Sequence, residues 1–354
     1  LGVLVSARTA EQVEAIPDAV AEAGIQRVVP VRTRDIHTSD ASEEPREPGG
    51  AADGRARARD SFWRAVRGTR SILVRAVGSG RPALGQARRL VQPVVDQISR
   101  DEYSILSITA LKNHDEYTYA HCVNVSVLAV GIGAVLGLPR PALARLGVAA
   151  LLHDLGKLGV APAVLNKPDK LDEREWEQLR HHPIEGVKIL ARTPGISTQV
   201  VDAMTVSYQH HMNLDGTGYP ARSDGTTIAP VSSIVAVADV FDALTAHRAY
   251  RHRPYTGREA LGSLLGKDRG RYDPAVLWAL VRAIGLYPPG TVVRTRSGHV
   301  VVSVSPNRQD VRRPVCRILA KPGIRTIDRR ATEWWEPMPA AELVEAVVSP
   351  DEHG

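Results

Sequence analysis

The stretch LLHDLGKLG, residues 151–159, decides how this sequence is interpreted. It places His153, Asp154 and Lys157 within five residues, with a glycine before and after the lysine. On an α-helix, residues four apart share a face, so His153 and Lys157 would point to the same side. A lysine beside metal-binding groups is costly unless an anion lies between them, which favours a metal site that binds phosphate. The alternative is a lysine stabilised by the dipole at a helix end.

Composition limits the class of protein. The chain has 354 residues, enough for one large domain and one or two smaller pieces, and 43% of them are hydrophobic. The two cysteines, Cys122 and Cys316, are too few for a disulfide framework, which predicts a reducing, cytoplasmic location. We find no apolar run near the ~20 residues of a membrane span. The net charge of +6 suits an anionic ligand, but no basic stretch with interleaved aromatic residues predicts binding of a nucleic acid polymer.

The sequence predicts a mainly α fold, with a helical bundle core, a small N-terminal α/β segment and a short β-rich C-terminal tail. Residues 37–60 contain almost no large apolar side chains. Burial of apolar surface therefore cannot offset the conformational entropy lost on ordering, which predicts a linker. The predicted divisions are an α/β segment at 1–36, a flexible linker at 37–60, a helical connector at 61–112, a metal-dependent domain at 113–290 and the tail at 291–354.

The tail is predicted from a change in the pattern of apolar residues after the sequence YPPG at 287–290. The following residues alternate between apolar and polar, and Ser297-Gly298 provides a turn, so we expect a β-hairpin. The sequence AAELVEAVV at 340–348 is predicted to form a last helix.

Nine of the twelve histidines lie between His114 and His252. Candidate ligands recur at intervals of 28–32 residues, about one helix-turn-helix unit, so a helical bundle could contribute one inward-facing group per helix. Imidazole and carboxylate ligands suit iron, manganese or zinc, and the lack of cysteine among them argues against a structural zinc site. The candidates are His121, His153, Asp154, His182, His210, His211 and Asp239.

Most single histidines on helices are not ligands, and this is the interpretation given to His114, His247 and His252. Of the neighbours His181 and His182, a helical projection favours His182. In that projection His182 lies at the edge of an apolar face formed by Trp176, Leu179, Val187 and Leu190.

Two further segments offer ligand-binding groups. The sequence HHMNLDGTGYP at 210–220 has two glycines and a proline, which predicts a rigid loop that lets backbone approach a ligand. In the next helix Asp239 and Asp242 are three residues apart, and Arg248 and Arg251 follow at its end, spaced to hold phosphate oxygens. A solvated helix end is the alternative explanation for the two arginines.

Together these motifs resemble the HD-GYP domain, a subgroup of the HD metal-dependent phosphohydrolases that includes cyclic di-GMP phosphodiesterases. The resemblance runs from Asp115 to Tyr250. It rests on four ordered motifs: DEYTYAHCVNV, HDLGKLGVAPAVLNKPDKLDEREWEQLRHHPIEG, HHMNLDGTGYP and VADVFDALTAHRAYR.

The resemblance implies a centre of two divalent ions, iron or manganese, with a water or hydroxide between them that attacks phosphorus. One metal would take His121, His153, Asp154 and Asp239. The other would take His182, His210 and His211, with Asp154 bridging the pair. His153, Asp154 and Lys157 would be catalytic, and the substrate-binding residues would be Lys157, Asp242, Arg248, Arg251, Gly218, Tyr219 and Pro220.

Two positions depart from the family pattern. Met212 stands where the family usually has Glu, which puts the rate or the choice of substrate in question. Members with three metals have a Glu four residues before the first histidine, where this chain has Tyr117, so we expect two metals.

The predicted function is hydrolysis of cyclic di-GMP to linear pGpG or onward to GMP. The alternatives are a hydrolase of another cyclic nucleotide, and a cyclic dinucleotide receptor with weak or no turnover. A homodimer formed through the helices between Ser61 and Lys112 is also predicted, since their apolar positions exceed what one face needs.

Overall fold

The computed structural model describes residues 28–31, 51–79, 82–100, 106, 117–165, 167, 169–223, 225–246, 253–307, 309–323, 333–342 and 344–350. Predictions for positions 1–27, and those for His114, His247, His252, Arg248 and Arg251, lie outside the described residues.

The described chain is mainly helical, which confirms the predicted fold class. The helices are α1 (Ala51–Ser79), α2 (Leu84–Ser99), α3 (Tyr117–Val135), α4 (Arg140–Leu151), α5 (Pro162–Leu165), α6 (Glu173–Arg180), α7 (His182–Leu190), α8 (Thr198–Gln209), α9 (Pro230–Thr245), α10 (Gly257–Leu265) and α11 (Pro274–Ile284).

Helix α3 lies at the centre of the bundle. Its residues from Cys122 to Ile132 are almost all buried, and α1, α2, α4, α9 and α11 pack around it. A helix that is apolar on nearly every side must be covered on every side, so α3 organises the core.

One helical window is long and apolar enough, by length and composition, to cross a membrane among the described residues. It is Thr118–Val135, with a mean hydropathy of 1.5, and 78% of it is buried inside the protein. We expected no apolar run of this length, and the burial of the window is that of a core helix.

Local signals define several helix ends. Asp172 and Glu175 form a reciprocal capping box at the start of α6. The side chain of Asp273 accepts a hydrogen bond from Ala275 N at the start of α11, which Gly285 ends.

The first helix begins earlier than predicted. Helix α1 starts at Ala51, so residues 51–60 belong to it and not to the predicted linker. Alanine and arginine are strong helix formers, and Ala58, one turn before Phe62, is fully buried.

A six-stranded sheet is built mostly from the end of the chain, in the spatial order β1-β6-β2-β3-β4-β5. Its strands are β1 (Val28–Val31), β2 (Val292–Thr295), β3 (Val300–Ser305), β4 (Val315–Ala320), β5 (Trp334–Trp335) and β6 (Val344–Pro350). The predicted hairpin is confirmed as β2 and β3, which pair antiparallel around a turn containing Gly298 at φ 91°.

The predicted terminal helix is wrong. Residues 344–350 form strand β6, which pairs antiparallel with β2 and parallel with β1. The valines of this segment suit a strand, and two neighbouring strands satisfy its backbone, so tertiary pairing overrides the helical preference of its Ala and Glu residues. The N-terminal strand thereby joins the same sheet as the tail.

Candidate metal centre

Five segments of the bundle converge on one buried cluster. His121 lies in α3, His153 and Asp154 directly after α4, and Asp239 in α9. His182 is the first residue of α7, and the pair His210-His211 follows α8. Of these seven side chains, six belong to buried residues and His211 is partly exposed. The predicted preference for His182 is confirmed, because His182 is fully buried while His181 is exposed.

The sequence suggested that 151–159 forms one helix, but the structure divides this stretch. Helix α4 ends at Leu151, residues 152–154 form a turn, and residues 155–159 form a short 3₁₀ helix. Lys157 nevertheless reaches the cluster, since its Nζ lies 2.6 Å from Oδ2 of Asp154. The turn presents the histidine, the carboxylate and the ammonium group together.

Gly156 allows the start of α7 to lie directly against this turn. A Cβ at Gly156 would be 1.9 Å from the carbonyl oxygen of His182 and 2.5 Å from the backbone nitrogen of Gly186. Only a residue without a side chain permits this approach, which brings His182 to Asp154.

The side chains fall into two groups that could each hold a metal ion. Within each group the ligand atoms lie within 4.8 Å of one another. The groups are His121, His153 and Asp239, and Asp154, His182, His210 and His211.

Asp154 lies between the two groups with one oxygen toward each. Its Oδ2 is 3.3 Å from Nε2 of His153, and its Oδ1 is 3.3 Å from Nε2 of His182 and 3.7 Å from Nε2 of His210. This is the geometry of a carboxylate that bridges two cations.

Hydrogen bonds from the far side of each ring fix the orientation of the histidines. Nδ1 of His153 donates to Ala150 O, and Nδ1 of His182 donates to Leu179 O, each over 2.7 Å. Nδ1 of His210 lies 2.9 Å from Ser207 O. A carbonyl can only accept, so Nε2 of each ring carries its lone pair toward the cluster, as in metal-ligating histidines.

The inner atoms lack the partners that buried polar atoms need. Nε2 of His153, Oδ1 of Asp154 and Nε2 of His211 are buried without a hydrogen bond. Two ring nitrogens that both carry lone pairs, Nε2 of His182 and of His210, face each other at 3.2 Å. Buried lone pairs that converge in this way fit cations, which would accept all of them.

The charge states also fit cation binding. Burial opposes the charged form of Asp154, but His153 and Lys157 outweigh it and hold the pKa of this carboxyl well below its usual range. Burial lowers the pKa of His210 to about 4. The carboxylate is thus ionised and this imidazole neutral near pH 7, the forms that bind metal.

His121 differs from the other ligands. Burial disfavours its charged form, but hydrogen bonds to Asp239 and Asp242 outweigh burial and raise its pKa to about 9. Without metal the ring is therefore positively charged at neutral pH, with a proton on both nitrogens. A metal would have to displace one of these protons.

Asp242, which was predicted to bind substrate, is buried next to His121. It is 2% exposed, its Oδ2 lies 2.7 Å from Nδ1 of His121, and its Oδ1 accepts a hydrogen bond from Asn124. It therefore supports His121 from behind. Sequence reasoning missed Asn124, although its position one turn after His121 on α3 was a signal.

The loop after His211 folds back on that residue. Tyr219 N donates to His211 O, and the ring centroids of the two residues are 4.5 Å apart. Gly218 has φ 94°, and a Cβ there would lie 2.1 Å from His211 O. Glycine is therefore required for the loop to pack against the backbone of His211. Met212 is 3% exposed and bridges to Gly218 through its backbone, outside both ligand groups.

Comparison with known proteins supports the motif assignment. Residues 105–276 match the HD domain family. The chain is 36% identical over 232 residues to a cyclic di-GMP phosphodiesterase of Pseudomonas aeruginosa, covering 66% of this chain and 55% of that protein. It is 37% identical over 172 residues to a 3'3'-cGAMP-specific phosphodiesterase of Vibrio cholerae, covering 49% and 36%. The chain thus spans between about a third and about half of these relatives.

The fold has a counterpart among solved structures. An HDG"Y"P protein from Bdellovibrio bacteriovorus superimposes with a TM-score of 0.53 at 19% identity, covering 68% of this chain and 73% of that one. At this identity the likeness concerns the fold alone. The buried histidine and aspartate cluster lies within residues 105–276, the span that matches the HD domain family.

Proposed function

We propose that this chain is a metal-dependent phosphodiesterase that hydrolyses cyclic di-GMP to linear pGpG. The observation that carries the proposal is the position of Asp154, whose two oxygens each face one group of ligands. Paired cations about 4 Å apart are the usual means of cleaving a phosphodiester.

The proposed cofactors are two iron or manganese ions. The donors are imidazole nitrogen and carboxylate oxygen, and neither group contains a thiolate. When bound, such ions lower the pKa of a water and neutralise charge on the phosphate oxygens. His121, His153, Asp154 and Asp239 would hold one ion, and His182, His210, His211 and Asp154 the other.

Lys157 is proposed to bind a non-bridging oxygen of the substrate phosphate. Its Nζ contacts Asp154, and its side chain is 23% exposed, so the ammonium group lies between the ligand cluster and solvent. The 218–220 loop is proposed to border the substrate through Tyr219, which stacks on His211. The phosphate contacts of Arg248 and Arg251 remain predictions.

A second substrate, 3'3'-cGAMP, is supported by one observation. The relative specific for this dinucleotide is 37% identical to the chain over 172 residues, and the cyclic di-GMP phosphodiesterase is 36% identical over 232 residues. Met212 adds to this candidate, since it departs from the family pattern without belonging to either ligand group.

The test is metal content and turnover measured on one anaerobically purified sample. We expect close to two iron or manganese ions per chain and conversion of cyclic di-GMP to pGpG, followed by chromatography. In parallel, His153→Ala should abolish turnover. Tight dinucleotide binding by the wild type without any turnover would instead indicate a receptor, and a chain that binds no metal would overturn the proposal.

Self-association and a cytoplasmic location are also proposed. The apolar residues Phe62, Ile72 and Leu73 of α1 pack inside the chain, while Val74 is 57% exposed. Light scattering at high protein concentration would test the homodimer, and a monomer there would exclude it.

A further inference from the structure

Planar side chains lie beside the metal ligands and on the helix that leads to His182. The ring of Tyr219 lies 4.5 Å from that of His211 and 6.1 Å from that of His182. On helix α6, Arg180 Cζ lies 5.6 Å from the centroid of the Trp176 ring.

Trp176 lies at the surface of helix α6. Its side chain is 42% accessible, although the helical projection placed it on the apolar face of α6. Nucleic acid bases commonly stack on exposed aromatic side chains.

Arg180 is held by the indole and not by a carboxylate. Its guanidinium packs on Trp176, and no carboxylate in the described chain lies within ion-pair distance of it. Trp176 is 42% exposed with the guanidinium in this position, so part of the indole stays accessible. The donors along the edge of the guanidinium can therefore bind a planar partner lying on the same face.

Helix α6 fixes both residues relative to the metal ligands. The Asp172–Glu175 capping box starts the helix, and Lys167 holds Glu175 through an ion pair of 2.6 Å. Arg180 ends it, two residues before His182. The Cα atoms of Arg180 and His182 are thus at most about 7.6 Å apart.

We propose that Trp176 and Arg180 form a subsite for a guanine base of the substrate, with the base stacked on Trp176 and its O6 and N7 accepting hydrogen bonds from Arg180. This inference rests on the proposed function and names the base that the site selects. Guanine presents two acceptors on this edge, N7 and O6. Adenine presents one acceptor, N7, and the N6 amino group, which is a donor and cannot accept a hydrogen bond from Arg180.

The test measures binding selectivity by calorimetry. The Mn²⁺-loaded full chain is titrated with hydrolysis-resistant phosphorothioate analogues of cyclic di-GMP and cyclic di-AMP. We expect Arg180→Gln to lower the preference for the guanine analogue about tenfold, as for loss of a bidentate contact. Trp176→Ala should weaken binding of both analogues about tenfold, because stacking tolerates either base.

Arg174→Gln is the matched control. It removes the same charge from an exposed position of the same helix, and in the described chain Arg174 makes no contact with an aromatic ring. It should leave the selectivity unchanged.

Three results would overturn the subsite. The first is unchanged affinity of Arg180→Gln for both analogues. The second is equal weakening of both analogues, which would indicate a phosphate contact. The third is loss of metal from Arg180→Gln, which would indicate a structural role. The proposed function is tested separately by wild-type hydrolysis of cyclic di-GMP itself, followed by chromatography. Selective binding without that hydrolysis would overturn the function and leave the subsite standing.

Discussion

Gly156, in the 3₁₀ helix at 155–159, is the residue at which the backbone after His153 and Asp154 touches helix α7. We expect Gly156→Ala to reduce metal content and to cost about 1–3 kcal/mol of unfolding free energy, as overpacking does. The reason is that the added methyl group would lie 1.9 Å from His182 O and push His182 away from Asp154. Mass spectrometry of bound metal checks this. Gly159→Ala is the control, since a Cβ there meets nothing within 4 Å.

Asn124 is predicted to act on the metal through two other residues. Its side-chain amide donates to Asp242, which in turn contacts Nδ1 of His121. We expect Asn124→Ala to weaken metal affinity about 10–100-fold, the usual effect of removing support behind a ligand. Competition with a chelator of known affinity measures this. Ser126→Ala removes a buried hydrogen bond of the same helix, to Gly147 O, and should leave affinity unchanged.

Among the helices, α10 has a first turn whose stability depends on pH. Glu259 pairs with Arg253 and accepts a hydrogen bond from Thr256 N. The hydrogen bond from Arg253 is the main reason why the pKa of Glu259 lies below its usual 4.5. A lowered folded pKa means that the stabilisation is complete above pH 4.5 and is lost as pH falls through the folded value.

We therefore expect Glu259→Gln to be less stable than the wild type by about 0.2–1 kcal/mol from pH 6 to 8, because the amide can keep the hydrogen bond with Thr256 N but loses the ion pair with Arg253. The difference should shrink below pH 4.5. Urea unfolding across this pH range measures it. Glu173→Gln, at an exposed position in the first turn of α6, should show a smaller difference, and a pH-independent gap for Glu259→Gln would contradict the assignment.

Elements were predictable where the signal is local. The ligand series and the hairpin at Ser297-Gly298 follow from residue spacing and turn chemistry, and both are present in the structure. Strand β6 was not predictable, because its identity comes from pairing with β1 and β2, neither of which is its neighbour in the sequence. The 3₁₀ turn after Leu151 was missed because helical periodicity does not reveal where a helix stops.

For the whole molecule, metal binding should be a large part of stability. The seven ligands come from five segments of the bundle, so an unfolded chain offers no comparable site. Binding at 100 times the dissociation constant adds about 2.7 kcal/mol per site. We expect chelation to lower the Tm by several degrees and Mn²⁺ to restore it, as followed by thermal unfolding. Asp154→Ala should unfold at a temperature that chelator no longer changes.

The pairing of β1 with β6 also affects synthesis of the protein. Val28 lies opposite Val347, so the two strands come from opposite ends of the chain. At about 5–20 residues per second on the ribosome, β1 waits roughly 15–60 s for its partner strand after it has been made. The entire helical bundle is translated during that interval. The nascent chain therefore carries one unpaired strand until its last described residues emerge.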